Sequence, residues 1–469
     1  MKDIFINEWK GLFRNRIFLY LIIFFVISIS VVTWLGVIQN LKQIKDQSEA
    51  HHHIRAQWNE MKPSSPHGAA HFGSYAFKPN TVLNSLDEGI NAVTGNVLRL
   101  EGHTQNDVVY SEASQSLLVS KFGKLKPSLL FQFVIPLFLI FLAFNSYTKE
   151  RQSGRLKLLL IQGASLRKIL FSKIISVWII GVLLLLLSII VQALFNGSVL
   201  NSDAVLRLVL IASSYSLYYL IVTSMTVLLS VLFKSATASL SFTLVIWVLW
   251  TVFLPKIAGN AAEQLSPLPT RVEFNKLMQE DRSKGIDGHN PSGDREEELK
   301  KETLAKYKVD SLSQLPINFD GIVMQADEDY GSKVWDKHFG QLYDQMQTQK
   351  KYYQLTGSVN PFASLQDLSM GAAGTDMFHH LDFLKQAEDY RRVFIKALND
   401  KHTYGGSKTG DWGWEADSDF FKSVKDFDYQ TPTLNNFLSK YILDILFLIL
   451  WAALLLILIN YSSKRVSIL

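Results

Sequence analysis

Apolar residues in this chain are gathered into long unbroken runs, separated by stretches that are almost wholly polar. The runs cover 17–38, 129–147, 174–195, 205–233, 238–254 and 441–461. A helix needs about 20 apolar residues to cross a bilayer, and each run holds a segment of roughly that length. The first run is too long for a signal-peptide core, and no small-residue cleavage site follows it, so it reads as an uncleaved first span. Pro136 lies inside the second run and predicts a kinked helix there. Pro255 is expected to end the fifth. Runs four and five carry hydroxyl residues at Ser213, Ser214, Ser216, Thr223, Ser224, Ser239, Ser241 and Thr243. Small hydroxyls let helices pack closely in lipid, and a polar pathway is the functional alternative.

The polar stretches also show periodicity. In 1–16, Phe5, Trp9, Leu12 and Phe13 fall at helical spacing among Lys2, Lys10, Arg14 and Arg16, which predicts an interfacial amphipathic helix. A first insert, 39–128, opens with a helix over 41–61 that Pro63, Pro66, Gly68 and Gly73 break. Further pieces are expected at 82–100 and 108–122. A second insert, 255–440, predicts helices over 271–280, 294–308, 326–355 and 376–399. In it, Glu296 with Lys300 and Glu297 with Lys301 are supporting i,i+4 pairs. Residues 371–376 read as a loop capped by Thr375 or Asp376, and 401–428 as irregular. The fold class is an all-α polytopic membrane protein. It has six transmembrane helices and a large, mainly helical extracytoplasmic domain formed by the two inserts.

Charge sets the orientation. Lys and Arg outnumber Asp and Glu by 47 to 42, a net of +5. Much of the excess flanks the apolar runs, at 1–16, 148–173, Lys234 and Lys464–Arg465. By the positive-inside rule those segments are cytoplasmic, so both termini lie inside and both inserts outside. Charge placed this way serves membrane orientation and not nucleic-acid binding. There is no cysteine, which removes disulfides, thiolate metal sites and a Cys nucleophile.

Between runs two and three, Glu150 is the lone acid in a basic, leucine-rich loop. Its order is Glu150-Arg151, then Gly154, Leu159-Leu160, Gly163, Ser165, Arg167-Lys168, and Lys173 before the next run. This order resembles the ABC-2-type transporter permeases. The resemblance implies that Glu150, Arg151, Gly154, Leu159, Gly163, Ser165, Arg167 and Lys168 dock a separate ABC ATPase subunit. Ala164 stands where many members have Pro, which implies a looser turn after Gly163. The block from Ser369 to Phe383, with Ala387–Arg392 and Leu315–Gly321, is similar to a subgroup with a large extracytoplasmic insert of unassigned function. That subgroup is related to gliding-motility and nitrous-oxide-reductase maturation permeases. It implies a bacterial inner-membrane subunit that pairs with a second permease, identical or paralogous, with spans two and five lining the pathway.

The chain itself lacks an ATP site. Gly405-Gly406-Ser407-Lys408-Thr409-Gly410 is not a P-loop, because no Gly-Lys-Ser/Thr ends it and no apolar strand precedes it. No cofactor is therefore expected here, with ATP and Mg held by the partner, and the chain is not read as an enzyme. His51, His52 and His53, with His67 and His71 nearby, are potential metal ligands, but consecutive helical histidines diverge and no metal site is expected. Thr375, Asp376, His379 and His380 form a local polar cluster, read as a helix cap with buried hydrogen bonds, Asp376 and His380 sharing a face. Asp444, near the outer end of run six, pairs with a base or snorkels, a transport role being the alternative. Two other functional classes fit the pattern. One is a mechanotransmitter that drives an envelope partner without transport. The other is a membrane scaffold or sensor without an ATPase.

Overall fold

The computed structural model describes residues 2–106, 125–196, 201–288 and 290–465. All six apolar runs lie in helices long and apolar enough to cross a membrane. Helix α1 (Lys2–Arg14) is the amphipathic segment. Asn15 separates it from α2 (Arg16–Asn59), its side chain accepting from the Ile17 amide. At 1.5 Å per residue α2 is about 66 Å long, twice the hydrocarbon thickness of a bilayer. The first run and the helix expected over 41–61 are thus one rod. Helix α3 (Pro66–Phe72) and the antiparallel pair β1 (Ser74–Phe77) and β2 (Val97–Leu100) follow. This two-stranded ribbon is the one named sheet among the described residues of a fold that is otherwise helical.

Helix α4 (127–143) contains a π-turn, Leu130–Val134, directly before Pro136. The connecting loop holds α5 (Thr148–Gln152) and α6 (Arg155–Ile161), and leads to α7 (Leu166–Asn196) and α8 (Ser202–Leu232). Helix α9 spans Ala236–Leu265. Pro255 does not end it. A second π-turn, Leu249–Phe253, precedes the proline, and the wide turn absorbs the missing N–H and the bulk of the ring, so the helix runs on to Leu265.

In the second insert, α10 (Arg271–Lys284) and α11 (Ser292–Tyr307) lie where expected, and Lys301 pairs with Glu297 at 3.0 Å. Helix α12 (Phe319–Leu355) starts earlier than its periodicity suggested, because the Asn318 side chain caps the Asp320 amide at 2.9 Å. Helix α13 (Pro361–Ala373) takes in the first half of the expected 371–376 loop. Only Gly374 and Thr375 link its end to the Asp376 cap, Gly374 adopting the left-handed conformation (φ 73°) that stops helices. Helix α14 (Met377–Tyr404) is longer than expected, and α15 (Ser418–Ser423) interrupts the segment read as irregular. Helix α16 (Ile442–Arg465) closes the fold. The helix expected over 108–122, Gly197 of the outer turn, and 466–469 lie outside the described residues.

Helix α8 is the axis of the bundle, touching α4, α7, α9, α13 and α16. Tyr215, Tyr218 and Tyr219 on it are fully buried. Several of the hydroxyl residues tie helices internally or to each other. Ser239 donates to the Phe144 carbonyl at 2.9 Å, Thr243 bonds back to Ser239 at 2.7 Å, and Ser230 accepts from the Tyr147 amide at 3.0 Å. The two inserts share hydrophobic cores. Trp58 of α2 packs on Phe394 and Phe421, and Leu98 and Leu100 of β2 pack with Phe383 and Ala387.

Candidate functional site

The loop between the second and third membrane-length helices is built from a few sequence rules. Gly154 and Gly163 hold φ of 73° and 87°, the left-handed region where a side chain is strained. Between them α6 lays Leu156 into the core, with Leu159 and Leu160 half-buried beside it. The turn after Gly163 is closed, not loose: Gly163 N–H donates to the Leu160 carbonyl and Ala164 N–H to that of Leu159, both at 3.0 Å. This Schellman closure needs glycine at its left-handed position and no proline after it. Lys173 of α7 is buried and donates to Glu8 of α1 at 2.7 Å and to Glu150 of α5 at 3.1 Å. Glu150 therefore faces inward and ties the loop to α1 and α7. Arg151, Ser165, Arg167 and Lys168 are exposed. So are two apolar side chains, Leu158 (60 % exposed) and Ile161 (83 %). Sequence reading missed this pair, although their spacing, i and i+3, signals one helix face.

The cluster at Thr375–His380 sits where the polar domain meets the bundle. Asp376 is fully buried and caps α14 through the His379 amide. It also accepts from His379 Nδ1 at 2.6 Å and from the Tyr441 hydroxyl at 2.7 Å. Burial alone would raise its pKa, but the His379 contact, Lys350 and Tyr441 outweigh that and hold the carboxyl well below the usual range. The Thr375 hydroxyl donates to the Met370 carbonyl at 3.3 Å. His380 does not join Asp376, because the cap is made with the residue three positions on. Burial and the nearby Lys78 charge push the His380 ring down to about 4, so it is neutral near pH 7.

Arg207 is the hub that sequence reasoning missed. It lies 6 % exposed in α8. Its Nε donates to Asp203 at 2.6 Å, Nη1 to the carbonyls of Gly371 (3.4 Å) and Ala372 (3.2 Å), and Nη2 to that of Pro432 (2.7 Å). Asp203 in turn accepts from the Leu434 amide at 2.7 Å. The available signal was an arginine four residues after an aspartate inside an apolar run, where ions are costly. Asp444 does not snorkel. It is fully buried and accepts from Gln354 Nε2 of α12. Beside the hub is a cavity of about 310 Å³ lined by Lys78, Asn80, Asp203, Arg207, His379 and Tyr429. Around Arg207 and Asp376 the donors and acceptors are matched to each other, which suits a rigid joint, while the buried His379 Nε2 at the cavity and Asp444 Oδ1 have no hydrogen-bond partner among the described residues.

Of the histidines, His51 pairs with Asp426 at 3.0 Å. His67 and His71, one turn apart on α3, meet His103 from the turn after β2. Their ligand atoms lie within 4.8 Å of one another, the one such trio among the described residues.

Residues 271–430 match a family model described as a domain of unknown function (DUF3526), and residues 106–263 match one described as a protein of unknown function (DUF2705). The first match falls within the second insert, and the second takes in the membrane-length helices α4, α7 and α8 and most of α9. No curated protein and no solved structure matches the chain.

Proposed function

We propose that this chain is the membrane subunit of an ABC-2-type transporter in a bacterial inner membrane, working with a separate ATPase and a second permease copy or paralogue. One observation carries the reading: the unburied Leu158–Ile161 face, on a loop that also exposes Arg151, Arg167 and Lys168 and is braced by Lys173. An apolar tip left uncovered by the chain on a fixed base suits a protein partner. In this reading α1, the 148–173 loop and Lys464 are cytoplasmic, and the shared insert domain is outside. ATP binding in the partner shifts the packing of two membrane halves by differential contact at the loop.

A second reading is favoured by α2. It runs unbroken from beside α1 to Trp58 in the core of the polar domain, so force at the loop reaches that domain through a rigid rod. Work on an envelope partner without transport would use the same joint.

The test is purification of the chain from native membranes in mild detergent, followed by assay of co-purifying ATPase. Burying a large aliphatic side chain is worth about 1.5–3 kcal/mol, so L158S/I161S should weaken docking by at least tenfold while leaving the chain folded. Retention of full ATPase activity by that double variant would sink the docking assignment. ATP-dependent accumulation of solute in inverted vesicles supports transport, and ATPase activity without accumulation supports mechanical work.

A further inference from the structure

We infer that His67, His71 and His103 form a divalent metal site of the Zn²⁺ class, which locks the first insert onto the second. The first support is distance. His67 Nε2 and His71 Nε2 lie 3.2 Å apart. Two imidazoles on one tetrahedral zinc, with Zn–N of 2.0–2.1 Å, place their nitrogens about 3.4 Å apart, so this pair is already spaced for a shared ion. All three ligand atoms fall within 4.8 Å of one another, so binding has to draw the third in only to the roughly 3.4 Å that a shared ion requires.

The second support is what stands behind His103. Its Nδ1 meets Glu328 Oε1 at 3.2 Å, and its backbone amide donates to the same oxygen. A carboxylate on one ring nitrogen fixes the tautomer and leaves Nε2 as a basic donor, the usual outer support of a metal-bound histidine. Glu328 is itself anchored, accepting from Arg391 at 2.9 Å, and Arg391 is also held by Glu388 at 2.8 Å. The backbone is committed too: His103 has φ of 64°, a left-handed conformation that costs energy for a residue with a side chain. The third support is the wall. Trp412 lies against His67 at 5.6 Å between ring centroids and against His402 at 5.8 Å, giving one side of the trio an aromatic cover.

Three neutral imidazoles suit Zn²⁺, with Cu²⁺ and Ni²⁺ as competitors, and not Ca²⁺ or Mg²⁺, which take oxygen ligands. A fourth position is left for water. His67 and His71 belong to α3 and His103 to the turn after β2, while Glu328 is on α12 and Arg391 on α14. The ion therefore joins two pieces of the first insert and, through Glu328, ties them to the second.

The experiment uses the full chain in detergent with any purification tag removed and metal stripped by chelator. It is dialysed against buffered Zn²⁺ at nanomolar to micromolar free concentration, and bound metal is counted by mass spectrometry. One ion per chain is expected, with a higher unfolding temperature and, for Co²⁺ in its place, the visible bands of four-coordinate cobalt. H71Q changes an exposed side chain and should keep the fold but weaken binding more than tenfold, as should H103Q. The triple variant H51Q/H52Q/H53Q should bind as the parent does. Absence of saturable binding at micromolar Zn²⁺, unchanged affinity in H71Q and H103Q, or loss of the ion in the triple variant would each overturn the site.

Discussion

Replacing Arg207 with methionine tests whether the polar joint holds the bundle to the insert domain. Methionine fills much of the same volume, so the change removes the guanidinium without a large cavity. It leaves Asp203 Oδ2 and the carbonyls of Gly371, Ala372 and Pro432 without the arginine donor, while Asp203 Oδ1 keeps the Leu434 amide. Breaking a buried ion pair costs about 3–5 kcal/mol. Asp203 is 28 % exposed, so water recovers part of its loss and the lower end, about 3 kcal/mol, applies. Lysine keeps the charge and can hold Asp203, but a point charge cannot serve the fork of carbonyls. R207K should therefore lose about half as much, at roughly 1–1.5 kcal/mol for the buried acceptors. Unfolding entropy near 2.1 cal/mol/K per residue makes 469 residues worth about 1 kcal/mol/K. Thermal unfolding followed by tryptophan fluorescence should then fall by about 3 °C in R207M and about half that in R207K. Hydrogen exchange should speed up at the end of α13 and around Pro432, and not at Trp58. Equal stability of R207M and the parent, or faster exchange spread evenly over the chain, would refute the view that this arginine is the clasp.

Two further outcomes follow from the same contacts. His380 titrates near 4 when folded and near 6.5 when unfolded, so the unfolded chain binds more protons between those values, and stability falls as pH drops from 6.5 to 4. The full span is worth about 3 kcal/mol. H380Q should flatten that limb in a denaturation series, though not fully, since burial also lowers His67 and His402; an unchanged slope would refute the assignment. In α2, a Cβ on Gly36 would meet the Ser85 carbonyl oxygen at 2.7 Å and Pro127 Cδ at 3.3 Å. G36V should thus destabilise by about 1–3 kcal/mol, read as a lower denaturation midpoint, whereas G259V on α9, with open space at its Cβ, should leave stability unchanged or slightly raised, because valine is a better helix former than glycine.

The sequence by itself determined the membrane-length helices, because twenty apolar residues in a row have few other solutions. It also determined α1, the basic loop with its short leucine-rich helix, and helices α10 and α11, whose surface patterning is local, whereas the closed turn at Gly163 came from the structure. Local signals failed where the answer lay elsewhere in the chain. Pro255 reads as a stop until the π-turn before it is seen. The α13 helix was hidden because its residues are buried nearly all round, so no polar face marked its period. Asp376 chose His379 over His380 because capping geometry and Tyr441, 65 positions away, fixed its orientation. Arg207 drew no notice in the sequence and Lys173 only as the last position of the basic loop's pattern, and only the tertiary structure supplied the acids and carbonyls that stabilise them in low dielectric. His103 is the clearest case. Nothing near it in sequence announces a ligand, and it reaches His67 and His71 only because β2 pairs with β1 and Glu328 of a distant helix holds its ring. Periodicity and charge are properties of neighbours along the chain, whereas a site made of groups hundreds of residues apart exists only once burial has forced them to satisfy one another.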